Sequence, residues 1–192
     1  MVPLNVPNVL TVVRILLVPV LVVALLEKTG GGDLLAAIVF AVASLTDAID
    51  GYLARSRNWV TTFGKLMDPI ADKLLIVAAL IALVSLGRLE AWVAMVIIAR
   101  EFAVTVLRVA AGTQQGVVIS ASSLGKLKTA VQAAMVMVLI AVGGRPLWVS
   151  LLVYVTVAIT VLSGADYFFG FRRLSDQRAA AGSQRGARGA GV

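Results

Sequence analysis

The chain has 192 residues, 60% of them hydrophobic and 14% charged, with a mean hydropathy of +0.98, which is too apolar for a water-soluble domain of this length and points to a bilayer. Seventeen Lys and Arg against ten Asp and Glu give +7, an excess that membrane proteins turn towards anionic lipid on the cytoplasmic side; the basic residues stand singly between apolar runs, so nucleic acid is not an expected partner. Cysteine and histidine are both absent, which removes disulfides, zinc sites, thiol nucleophiles and imidazole bases together and leaves the chemistry to carboxylates, Lys, Arg and hydroxyls.

A membrane-crossing helix needs about 20 mostly apolar residues. Six stretches qualify, over residues 8–26, 34–54, 66–86, 91–111, 127–142 and 147–169. The first has neither a basic leader nor a small-residue cleavage site after it and is expected to be retained. Glycines and a proline punctuate the breaks: Gly30 to Gly32, Gly64, Gly87, Gly112 with Gly116, Gly125, and Gly143 with Gly144 and Pro146. The expected fold is all-α, a polytopic membrane domain of six transmembrane helices over residues 1–171. Residues 172–192 turn to Ala, Gly, Ser, Gln and Arg without periodicity, and are read as a basic, disordered cytoplasmic tail.

Loop charges set the orientation. Arg55, Arg57, Lys65, Lys126, Lys128 and the C-terminal arginines from Arg172 onward fall on one side, with Lys28, Arg88 and Arg145 on the other, so both termini are expected in the cytoplasm. In that topology the ionisable residues within the helices all lie in the cytoplasmic half: Arg14, Asp47, Asp50, Asp68, Asp72, Lys73, Arg100, Glu101 and Arg108. Each is costly in lipid unless paired or wet. Their gathering in one leaflet predicts a hydrated cavity open to the cytoplasm of the cell's inner membrane.

Asp47 and Asp50 are three residues apart on one predicted helix, and Asp68 and Asp72 are four apart on the next. Each pair therefore shares a helical face, and four carboxylates can converge. Like charges so gathered need neutralising, and with no His or Cys to hand the fitting ions are hard, oxygen-preferring Mg²⁺ or Mn²⁺. Two such ions balance four carboxylates and suit in-line displacement at phosphorus. Gly51, Ala54 and Gly64 leave space beside the acids, either for a bulky ligand or for close helix packing.

The segment from Asp47 to Asp72, DAIDGYLARSRNWVTTFGKLMDPIAD, fills every fixed position of DxxDGxxARx8Gx3Dx3D, and in this it resembles the CDP-alcohol phosphotransferase family. The likeness extends over roughly residues 5–170. NVPNVLTVVR with Pro19, IAREFAVTVLR from Ile98, and GKLKT from Gly125 to Thr129 are similar to the family's glycerophosphate branch. The resemblance implies a six-helix, usually dimeric fold binding two metals against the diphosphate of a CDP-linked lipid. It implies Asp47, Asp50 and Asp68 as metal ligands, and Asp72 as both ligand and general base. Asp50, Gly51, Ala54, Arg55 and Gly64 would surround the CDP-lipid. An intramembrane Asp paired with Lys73 or Arg55, and Arg55 as a topology charge alone, are the plainer readings of the same residues.

An acceptor such as sn-glycerol 3-phosphate is a dianion, so its pocket should offer cations at the mouth of the same cavity. Arg100, Arg108 and Lys126 are the candidates. Glu101 can orient or neutralise Arg100, Lys128 can reach lipid headgroups, and Arg14 has no assigned purpose. The expected reaction joins CDP-diacylglycerol and glycerol 3-phosphate, with CMP leaving. Inositol phosphate, phosphatidylglycerol (giving cardiolipin) and serine are rival acceptors. Outside enzymology the rival is a cation transporter, which predicts ionisable residues in both leaflets.

Overall fold

The computed structural model describes the backbone of residues 6–27, 31–56, 62–115 and 123–189, and side chains within 9–27, 31–46, 70–71, 73–107, 124–170 and at 172. Six helices make up the described chain: α1 (Val6–Leu26), α2 (Gly32–Ser56), α3 (Thr62–Ser85), α4 (Ala91–Gln115), α5 (Ser123–Val142) and α6 (Leu147–Gly189). Each contains one of the six apolar stretches. In hydrocarbon the backbone must satisfy itself, and a continuous helix does so within a single segment. The one marked departure is α6, which runs on to Gly189 where a structureless tail was expected beyond residue 171. Composition predicts disorder there because nothing apolar is left to bury. Yet Ala, Arg and Gln are good helix formers, and the backbone simply continues the preceding span.

α1 packs on α2 and α3, while α6 packs on α4 and α5; contacts of α2 with α5, and of α3 with α4 and α5, join the two triads. A single core runs between them, from Leu21 and Leu25 of α1 through Phe40, Leu80 and Leu83 to Ile97, Met135, Leu139 and Val149. Large apolar side chains also face outward, among them Leu16, Leu34, Met95, Val106 and Leu151, each more than half exposed. On a soluble protein such surface would drive association; around this bundle it matches lipid. Three stretches, Val9–Leu26, Leu124–Val142 and Leu147–Gly170, are long and apolar enough to cross a membrane by length and composition. Gly32–Thr46 and Lys73–Ser85 are shorter apolar helices among the described residues.

The α3–α4 and α5–α6 connections lie at one end of the bundle, here called distal, with the start of α2 beside them. There Arg88 donates both Nη groups to Asp33, each at 2.8 Å, and Nη1 also reaches the Ile140 carbonyl at 3.2 Å. That carbonyl belongs to the last turn of α5, where helix geometry leaves acceptors without partners. Gly87 and Gly143 hold positive φ, 68° and 64°, and turn the chain just beyond α3 and α5, the position where a left-handed residue caps a helix. Arg145 meets Glu90 at 2.6 Å, and the Trp92 indole N–H also donates to Glu90.

Candidate active site

Burial along α2 falls on Ala36, Phe40 and Ala43, a spacing of four and three. Continuing that register by four and three arrives at Asp47 and Asp50. On α3 the buried residues Leu75 and Ala79 continue backwards, by three and four, to Asp72 and Asp68. Both acidic pairs therefore occupy the helical stripes whose distal parts form the core. Their side chains lie outside the described residues, as do those of Gly51, Ala54, Arg55, Gly64 and Arg108. Among the described residues no group of three or more His, Cys, Asp or Glu comes together. Four carboxylate positions on two buried stripes, with no softer ligand in the chain, form a donor set of the chemistry that Mg²⁺ or Mn²⁺ prefers.

A third buried stripe faces the same level from α1: Thr11, Arg14, Val18, Leu21 and Leu25, with Arg14 wholly enclosed. Counted at about 1.5 Å per residue from the distal helix ends, Arg14, Asp47, Asp72 and Lys128 all lie about 20 Å deep. The bundle thus carries one polar layer beneath an apolar distal half.

Across that layer, α4, α5 and α6 bring together a described charge cluster. Glu101 takes a hydrogen bond from Arg100 Nη1 at 3.2 Å and a second, with ion pairing, from Lys128 Nζ. Arg100 Nη2 donates to the Ser163 hydroxyl at 2.6 Å, and its guanidinium lies 5.8 Å from the centre of the Tyr167 ring. Gly164 makes room for this arginine, since a Cβ there would sit 3.2 Å from Arg100 Cγ. Ser163, Tyr167, Lys128 and Gln132 are buried, and Arg100 Nε and Gln132 Oε1 have no hydrogen-bond partner among the described residues. Among the described residues, two cations share one carboxylate and Arg100 Nε is left without an acceptor, an excess of positive charge suited to an anion.

Of the acceptor candidates from sequence, Arg100 is in this cluster and Lys126 is exposed. Lys128, two residues further on and so on the opposite face of α5, is the lysine that turns inward; the expectation that it reaches headgroups is corrected by its burial and its bond to Glu101. No local signal could have chosen between the two lysines, because the partner is on another helix. At the distal end, Glu90 has its pKa lowered below 4.5 by hydrogen bonds from Arg145 and then Trp92.

The chain matches the CDP-alcohol phosphatidyltransferase family over residues 4–162, helices bearing the four aspartates included. It belongs to that family. It is 44% identical, over 85% of its length and 93% of the relative's, to the CDP-diacylglycerol–glycerol-3-phosphate 3-phosphatidyltransferase of Bacillus subtilis. It is 46% identical, over 85% of its length and 79% of the relative's, to a probable phosphatidylglycerophosphate synthase of Mycobacterium tuberculosis. A Rickettsia felis protein bearing the same name as the Bacillus one is 36% identical over 85% of the chain and 93% of its own length.

Proposed function

We propose that the chain transfers the phosphatidyl group of CDP-diacylglycerol to sn-glycerol 3-phosphate, giving phosphatidylglycerophosphate and CMP. The observation that carries this is chain-long similarity to relatives named for that reaction, covering the aspartate segment and the α4 and α5 residues of the cationic pocket together. The six helices are read as six membrane spans, with both termini and the polar layer towards the cytoplasm and the protein in the inner membrane. Residues 1–171 would form the catalytic domain and 172–192 a basic cytoplasmic segment, and the working form would be a homodimer.

Asp47, Asp50, Asp68 and Asp72 would hold two divalent ions, Mg²⁺ or Mn²⁺, which when bound neutralise the diphosphate and stabilise the entering and leaving oxygens. The acceptor's primary hydroxyl oxygen bonds to the lipid-bearing phosphorus as that atom's bond to the CMP oxygen breaks. Asp72 takes the hydroxyl proton as the oxygen attacks. Gly51, Ala54, Arg55 and Gly64 line the CDP side, and Arg100 and Lys128, with Arg108 and Lys126 towards the mouth, attract the acceptor phosphate. The acyl chains stay in the leaflet throughout.

The test is CMP release by purified protein supplied with CDP-diacylglycerol and a panel of acceptors. Turnover is expected with glycerol 3-phosphate in the presence of Mg²⁺ or Mn²⁺. Preference for inositol phosphate, phosphatidylglycerol or serine would replace the acceptor, and full turnover in EDTA would remove the metals. Asp72→Asn should lower kcat by about 10²- to 10⁴-fold; near-normal turnover by that variant would end the base assignment.

A further inference from the structure

Arg14 has no part in the chemistry above, yet it heads the fully buried side chains in size. It lies on the stripe by which α1 packs on α2 and α3. A guanidinium keeps its proton in any protein setting, so enclosing it calls for an anion at close range. α1 contains no acid. Its two packing neighbours contain five: Asp33, Asp47, Asp50, Asp68 and Asp72. Asp33 is at the distal end in the grip of Arg88, about 16 Å from the level of Arg14 by helical rise. That leaves the acidic quartet.

We infer that Arg14 is the built-in counter-charge of the quartet, a positioning residue that holds the α2 and α3 acids together whenever divalent ions are away. The inference takes from the proposed function only that the quartet is the metal site. Four carboxylates brought within about two helical turns of one another would repel, and a fixed cation on a third helix would let α2 and α3 stay closely packed there. A bound divalent ion supplies the same electrostatic relief. Arg14 and the metal are therefore partly interchangeable as stabilisers, which an arginine serving only as packing would not be.

The experiment is thermal unfolding of the purified full chain in detergent, in EDTA and in saturating Mn²⁺. In EDTA, Arg14→Gln should melt about 5 °C or more below the parent, with Arg14→Lys between them because it keeps the charge and loses the fork. Mn²⁺ should close at least about half of that gap, the metal now doing what the missing charge did. An equal gap in both media overturns the inference, and so does an Arg14→Lys variant no better than Arg14→Gln. Should the parent itself show no response to Mn²⁺, the metal site is what fails. The pairing is then judged in EDTA by combining Arg14→Lys with Asn at each aspartate: non-additive losses at one of the four uphold it, and additivity at all four ends it. Arg14→Lys carries both arms if Arg14→Gln does not fold.

Discussion

At the distal end Arg88 faces Asp33 and Arg145 faces Glu90, so each described cation there has an acid of its own. About 14 to 20 Å below, Arg14 and Lys128 are buried and Arg100 is mostly covered, and Glu101 is the one described acid enclosed with them. The distal pairs join chain segments more than fifty residues apart and close a surface. In the α4–α5–α6 cluster two described cations share one described carboxylate, and Arg100 Nε has no hydrogen-bond partner among the described residues. Where charges cancel one to one they act as ties; where two cations share one acid, the cluster suits an anionic ligand.

The contrast would break most visibly at Lys128. Replacing it with Met should raise KM for glycerol 3-phosphate about 10- to 100-fold, the worth of one buried charge-assisted hydrogen bond, with KM for CDP-diacylglycerol unchanged. A mere loss of Tm without that split would make the inner cluster a tie as well. Arg88→Ala sharpens the comparison from the other side. It should cost about 1–2 kcal/mol of stability, discounted because Asp33 is 44% exposed, while kcat per folded molecule holds. A kinetic defect at constant stability would mean that the distal end reaches the chemistry.

The smallest effect belongs to Glu90. Its folded pKa lies below the ordinary 4.5, so the stability it contributes is present above pH 4.5 and is lost as pH falls through the folded value. Between pH 5 and 3 the parent should therefore lose more Tm than Glu90→Gln, by about one degree or less at so exposed a site. Parallel profiles would show Arg145 and Glu90 to be neighbours and no more.

Much of the architecture was legible in the chain. Apolar runs mark all six helices, and the positions of Asp47, Asp50, Asp68 and Asp72 are in helical register with buried residues of α2 and α3, while their side chains lie outside the described residues. What was not legible is pairing across helices. Arg88 and Arg145 read as loop charges that orient the protein, because their partners lie 55 residues away. Sequence assigned Lys126 to the acceptor and Lys128 to headgroups, whereas Lys128 is the one that meets Glu101 of α4, and Arg14 had no reading until burial gave it one. The end of α6 was misjudged for another reason: composition measures what a segment can bury, whereas a helix already started costs little to extend.

Arg88 and Arg145 draw their counter-ions from the protein, and Arg88 also serves the orphan carbonyl of Ile140. Among the described residues, that end's arginines therefore need no counter-ion from phospholipid headgroups. With these links satisfied within the protein, the distal end should hold as firmly in a bilayer poor in acidic lipid as in a rich one.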